Sequence, residues 1–307
     1  MWSQLTLKMK TPPRLLLITL VLIIGASVVL CTTQADTSSI HASIDDVSLS
    51  LSNLKTNKTK YTNAFDEPFF AYIKRLHEQY GAKFSLYCYL SDIKDIGTSY
   101  QHDFANTSDW LKFGLHAPDT TRGYSNATYD QGKQDWISFS KAVQDLTGNI
   151  GSLDRVVRLD RFNGSKEALL GMKDAPYGAC GLLTADAATR PSYFLNKEQL
   201  SQLHNNGELT DQSTSLQFFS TDMRGEWFSL SFFSEYEYRV PQAASVYTEI
   251  ERLYSQNAPE VADKRLIFFT HEWQLYDGKG LNQNISWLED LCLYSRDHNV
   301  PFRFPLQ

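Results

Sequence analysis

The sequence predicts an α/β fold, a (β/α) barrel of seven or eight strands, complete or incomplete. Three observations point there. Short apolar runs recur along the chain, and each ends in a polar or ionisable cluster. Apolar stripes at helical spacing lie between them, so strands and helices alternate, which implies a parallel sheet with right-handed crossovers. A chain of 307 residues, 42% of them hydrophobic, suffices for one large domain of this kind behind an N-terminal extension. The runner-up, a doubly wound open sheet, lacks a G-x-G-x-x-G turn after the first strand.

The elements follow in order. Residues 15–31 form an apolar run preceded by Lys8, Lys10 and Arg14, and small residues end at Ala35. Residues 1–35 therefore read as a signal peptide or signal anchor, and the body as exported, either secreted or held at the outer face of the membrane. Residues 36–40 are polar and small, a linker, and the barrel domain is expected over 41–307. The first strand ends at Ser43-Ile44-Asp45-Asp46, and 47–68 read as loop. Asp66-Glu67-Pro68 then opens a helix with an acidic cap and an early proline. Its stripe is Phe69, Ile73, Leu76 and Tyr80, and Gly81 closes it. Phe84, Leu86, Cys88 and Leu90 alternate as a strand. Later strands end at Phe113-Gly114-Leu115-His116, Val157-Arg158-Leu159-Asp160, Leu182-Leu183-Thr184-Ala185-Asp186 and Phe218-Phe219-Ser220-Thr221-Asp222. Trp136, Phe139, Val143 and Leu146 make a second helical stripe, ended by Gly148. Val246, Ile250, Leu253 and Tyr254 make a third, leading into the strand at 266–269, which ends in Thr270-His271-Glu272. Ile285, Leu288 and Cys292 make the last, followed by a strand at 300–304.

The net charge of −6 excludes the basic face that nucleic-acid binding requires. The cysteines at 31, 88, 180 and 292 leave an odd number in the body, widely spaced, which is not a disulfide framework, and no C-x-x-C zinc pair occurs. The 18 Phe and 16 Tyr suit either a core or a sugar-binding cleft.

In an α/β barrel the carboxyl ends of the strands meet at one mouth, and catalytic residues sit there. Two strand-end clusters hold histidine, His116 and His271, and one holds the pair Asp45-Asp46. These are common ligands of a hydrolytic metal ion. One carboxylate of such a pair can ligate a metal while its neighbour takes a proton from water. As ordinary structure, the same residues would be a turn or helix cap and satisfied core histidines. Arg158, Asp160 and Arg161 would orient a base, hold substrate, or form a surface ion-pair network. Asp186, Asp222 and Glu272 would meet sugar hydroxyls or cap helices. Trp110, Trp227 and Trp273 would stack on sugar rings or pack in the core.

An Asp-Asp pair after strand one, F-G-x-H after a middle strand and T-H near the C-terminus resemble the polysaccharide deacetylase family, metal-dependent carbohydrate esterases that include chitin and peptidoglycan deacetylases. The stretch from His77 to Leu86 resembles their second helix and strand. The resemblance implies Asp45 as base, Asp46 and His116 as ligands of a divalent ion, zinc by preference, His271 as general acid, and an acetylated glycan as substrate. The chain departs from the family pattern twice. Val47 stands where the T-F-D-D-G motif has glycine, and Thr120 stands where H-x-x-x-H has its second histidine. A third ligand is then expected from Asp119, Thr120, Tyr124 or a later loop. Two rival functions are a glycoside hydrolase using Asp222 and Glu272, and a glycan-binding barrel without catalysis.

Overall fold

Strand β1 (Ser39–Val47) is buried along nearly its whole length. It pairs in parallel with β2 (Phe84–Tyr89) on one side and β10 (Arg265–His271) on the other. SIHASIDDV alternates, with Ile40, Ala42 and Ile44 on one face and His41, Ser43 and Asp45 on the other, and both faces are buried, so the polar set lies in the interior, where each group needs a partner. The structure is a computed structural model that describes residues 39–185, 192–221, 223–226, 238–241, 245–255, 265–276, 280–282 and 286–306. The segments expected as signal and most of the linker fall outside these residues. β1 itself begins at Ser39, two residues inside the expected linker.

The remaining strands are β3 (Leu111–Ala117), β4 (Val156–Val157), β5 (Gly181–Thr184), β6 (Glu208–Thr210), β7 (Gln217–Ser220), β8 (Met223–Glu226) and β9 (Tyr238–Pro241). They form two sheets, ordered β3-β2-β1-β10-β8-β9 and β4-β5-β7-β6, in which every pairing is parallel except β6 with β7. The sheets meet where Phe113 on β3 bridges Leu153, just before β4, and the Asp154 N–H donates to the Phe113 carbonyl at 2.8 Å. The expected α/β class and parallel sheet are present, and the barrel is not closed by a continuous ladder. The strand expected at 300–304 is reduced to one bridge, Phe302 to Ile40.

Nine helices are described: α1 (Leu49–Thr56), α2 (Pro68–Tyr80), α3 (Leu90–Ile93), α4 (Gln101–Phe104), α5 (Tyr129–Thr147), α6 (Lys166–Lys173), α7 (Lys197–Asn206), α8 (Val246–Ser255) and α9 (Trp287–His298). Helix α2 has the expected capping. The Glu67 carboxylate accepts from the N–H groups of Phe69 and Phe70, Pro68 is the first helical residue, and Gly81 closes the helix at φ 69°. Gly148 closes α5 likewise at φ 68°. Helix α1 lies where a loop was expected. Its N-terminus is not capped from within: Ser48, Leu49 and Ser50 donate their N–H groups to the carboxylate of Glu272 at 2.7–2.9 Å. Helices α5 and α6 pack backbone to backbone, because a Cβ on Gly171 would lie 2.0 Å from the Tyr129 carbonyl oxygen.

Candidate active site

The carboxyl ends of β1, β2, β3 and β10 lie together, and the site is built on them. β1 and β10 run in register to Asp45 and His271. Beyond Ile44 the β1–β2 register shifts, and Asp46 takes a left-handed φ of 56°. That kink splits the aspartate pair. Asp45 faces inward, 2% exposed, while the Asp46 carboxylate stands at the mouth.

Asp45 forms an ion pair with Arg158, Nε to Oδ1 at 3.5 Å, an electrostatic contact longer than a hydrogen bond. Arg158 leaves the end of β4 and is itself 1% exposed. Its Nη1 donates to the Thr221 hydroxyl at 3.3 Å and its Nη2 to the Ser43 hydroxyl at 3.2 Å. The guanidinium also lies 4.2 Å from the Phe269 ring centroid. Such burial suits a residue that holds Asp45 in place and leaves it no open face toward a substrate.

Asp46 collects donors. The Tyr89 hydroxyl donates to Oδ1 at 2.5 Å and the Trp273 indole N–H to Oδ2 at 3.2 Å. His116 Nε2 lies 3.2 Å from Oδ1, and His271 Nε2 lies 4.0 Å from Oδ2. Burial alone would raise the Asp46 pKa. The His116 hydrogen bond and charge, with help from His271 and Tyr89, outweigh it and hold the carboxyl well below the usual range. For His116 burial opposes the charge, but the Asp46 hydrogen bond and the charges of Asp45 and Asp46 lift the imidazole to about 9. His116 Nδ1 lies 2.6 Å from the Arg158 carbonyl. That contact assigns the proton to Nδ1 and aims Nε2 at Asp46.

Asp45, Asp46, His116 and His271 are thus brought together. Tyr89 joins them, missed because its neighbours were read only for strand alternation. Its signal was its place at the carboxyl end of β2. Trp273 stands 47% exposed beside His271, rings 5.5 Å apart. Asp160 and Arg161 pair loosely at 3.7 Å on the turn after β4, and the Arg161 side chain is 86% exposed. Asp186, Asp222 and Trp227 lie outside the described residues. Two expectations are corrected. Glu272 is 1% exposed and both its oxygens cap α1, so it neither meets substrate nor serves as a hydrolytic carboxylate. Trp110 stacks on His77 at 4.5 Å before the start of β3, away from the mouth.

The His116 geometry bears on a metal. A histidine ligand characteristically donates its other N–H to a carbonyl or carboxylate, which fixes the ring, and His116 does so. Its Nε2 and Asp46 Oδ1 are a nitrogen–oxygen pair that suits a divalent transition metal. The residues expected to supply the third ligand are engaged elsewhere or exposed. The Asp119 carboxylate accepts from Thr121 and Arg122, the Tyr124 hydroxyl bonds Asp135, and Thr120 is on the surface. Among the described residues no three His, Cys, Asp or Glu side chains form a cation cage. Asp46 and His116 are the pair that would hold an ion.

No protein-family model matches the chain, and no curated protein does. Solved structures do. A deacetylase determined with substrate is 10% identical, with 86% of each chain covered and a TM-score of 0.41. A polysaccharide deacetylase from Mycobacterium smegmatis is 9% identical, covering 89% of this chain and 94% of its own, at 0.46. The Xyl-CE4 domain of a multidomain xylanase from the hindgut metagenome of Trinervitermes trinervoides is 13% identical, covering 81% and 95%, at 0.31. Two of the three are described as deacetylases.

Proposed function

We propose that the protein is a hydrolase that removes acetyl groups from an N- or O-acetylated polysaccharide. The observation that carries this reading is the split aspartate pair. One carboxylate is buried and held by Arg158, and the other stands at the mouth between two imidazoles. Asp45, fixed by its ion pair, takes the proton from the attacking water. His271, 4.0 Å from the Asp46 carboxylate, donates a proton to the departing amine or alcohol. Asp46 and His116 are the residues to hold a divalent ion, zinc by preference, which supplies Lewis-acid polarisation of the acetyl carbonyl. Trp273 offers an exposed ring face for a sugar. Asp160 and Arg161, with Asp186 and Asp222, are candidates for its hydroxyls. The glycoside hydrolase alternative loses one of its two carboxylates, because Glu272 is engaged in capping α1.

The test is acetate release from acetylated chitin, peptidoglycan and xylan fragments. Asp45→Asn keeps the side-chain shape but cannot accept the proton, so turnover falls by about 10²–10⁴, as does that of His271→Ala. A wild-type protein that binds one of these glycans and releases no acetate would be a binding module instead.

A further inference from the structure

Side chains from three neighbouring strand ends meet at the Asp46 carboxylate. β2 lies between β1 and β3 in the sheet, and its last residue, Tyr89, stands between Asp46 and His116. The register breaks on both sides of it. β1 pairs Ile44 with Leu86 and then Val47 with Cys88, passing over Asp45 and Asp46. β3 pairs Leu115 with Cys88 and then Ala117 with Tyr89, passing over His116. Such bulges re-aim side chains beside active sites. Here they leave Tyr89 Oη 2.5 Å and His116 Nε2 3.2 Å from the same oxygen, Asp46 Oδ1. The two rings meet edge to face, centroids 5.7 Å apart.

Asp46 and His116 supply two ligands, and a zinc site takes at least three from protein. The other groups at the mouth do not complete the set. The Trp273 indole can only donate, and His271 Nε2 lies 4.0 Å from the opposite oxygen, Asp46 Oδ2. On the loop after β3, Asp119 is engaged by Thr121 and Arg122, and Tyr124 by Asp135. The Tyr89 phenol oxygen can accept as well as donate, so the atom that gives its proton to Oδ1 also has lone pairs for an ion. In a tetrahedral site with bonds of about 2.0–2.2 Å, ligand atoms stand about 3.3–3.6 Å apart. His116 Nε2 is close to that spacing from Oδ1 at 3.2 Å, and Tyr89 Oη reaches it by drawing back from 2.5 Å. Two anionic oxygens and one neutral imidazole would balance a divalent charge.

We propose that Tyr89 is the third protein ligand of the ion held by Asp46 and His116, in place of the histidine missing at position 120. When the ion binds, the phenol O–H bond breaks, its proton goes to solvent, and the oxygen turns a lone pair to the ion. The three ligands then come from the ends of three adjacent strands, and none from the loop after β3. This assignment rests on the reading of Asp46 and His116 as ligands, and it predicts a spectroscopic signature that the pair alone would lack.

Zinc alone tests it, titrated into the metal-free protein at pH 7, where an ordinary phenol keeps its proton. The ultraviolet difference spectrum of the wild type is expected to show a tyrosinate that grows in step with bound zinc. Tyr89→Phe keeps the ring against His116 and removes the oxygen. It should lose that signal and bind zinc at least about tenfold more weakly by calorimetry, since losing even an outer partner of a ligand costs about 10–100-fold. Tyr124→Phe, the control on the loop, should keep both signal and affinity. A phenol that only steadied Asp46 would weaken binding in Tyr89→Phe and give the wild type no tyrosinate. Zinc uptake by the wild type without the signal, or a signal that survives in Tyr89→Phe or is lost in Tyr124→Phe, overturns the assignment and leaves Asp46 and His116 as ligands. A wild type that takes up no zinc overturns the assignment and the ligand pair together. Acetate release is read separately: a protein that shows the signal, loses it in Tyr89→Phe and releases no acetate keeps Tyr89 as a ligand and sinks the deacetylase reading.

Discussion

Asp46 and His116 sit 3.2 Å apart in a site where each shifts the other. The shifts have opposite signs, and both favour the charged pair. His116 is raised from 6.5 to about 9, so its contribution is full below pH 6.5 and is lost as the pH climbs through 9. Asp46 is lowered from 3.8, so its contribution is full above pH 3.8 and is lost as the pH falls below it. His41 acts differently: burial, with the Arg158 charge, holds it down to about 3, which destabilises the fold as the pH falls below 6.5. Comparing wild type with Asp46→Asn cancels His41. In metal-free protein, the stability difference between the two, from urea melts, should be largest between pH 4 and 6.5 and shrink toward pH 9. A difference that is flat from pH 5 to 9 would show that the pair is not charged. At this scale the sequence showed which residues carry chemistry, because Asp45-Asp46, His116 and His271 follow apolar runs. It did not show that a left-handed φ at Asp46 would send the two carboxylates to different places. That conformation is unfavourable for a non-glycine residue and is held by its neighbours.

Helix α1 owes its start to a residue more than 220 positions away. Glu272 offers a carboxylate to three N–H groups that would otherwise be unpaired at a helix N-terminus. Glu272→Gln keeps the shape but weakens the charged hydrogen bonds, and should lower unfolding stability by about 1–3 kcal/mol in urea melts. The same variant should leave metal binding unchanged, since Glu272 is buried and both its oxygens are engaged by α1. Gly171→Ala tests a second element contact. The added methyl would meet the Tyr129 carbonyl oxygen at 2.0 Å, forcing α5 and α6 apart at about 1–3 kcal/mol. A Gly171→Ala protein as stable as wild type would show that the helices can separate freely. Helices α2 and α5 were legible from sequence because stripe, cap and closing glycine are all local. Helix α1 was not, because its cap is supplied by tertiary contact. The strand expected at 300–304 failed for a related reason: its apolar alternation is real, but its pairing with β1 is a single bridge, Phe302 to Ile40.

For the molecule as a whole, the ion pair of ligands predicts a linkage. Zinc, cobalt or nickel held by Asp46 and His116 should stabilise the folded protein, by about 2.7 kcal/mol at a hundredfold excess over Kd. A thermal melt would report this as a rise in Tm, abolished in Asp46→Asn and His116→Ala and retained in His271→Ala. Loss in His271→Ala as well would make that histidine a ligand and remove it from the acid role. By itself the sequence determined the α/β class, the alternation of strand and helix, and the convergence of Asp45, Asp46, His116 and His271. Repeating apolar runs with polar ends can bury their faces only as parallel strands, whose ends then meet. Only the tertiary structure decided that the strands form two sheets rather than one closed ladder, that Arg158 is an interior clamp, that Tyr89 and Trp273 close on Asp46, and that Glu272 is a cap. Each of these depends on the pairing of residues far apart in the chain, and the local pattern of a sequence carries no term for such distances.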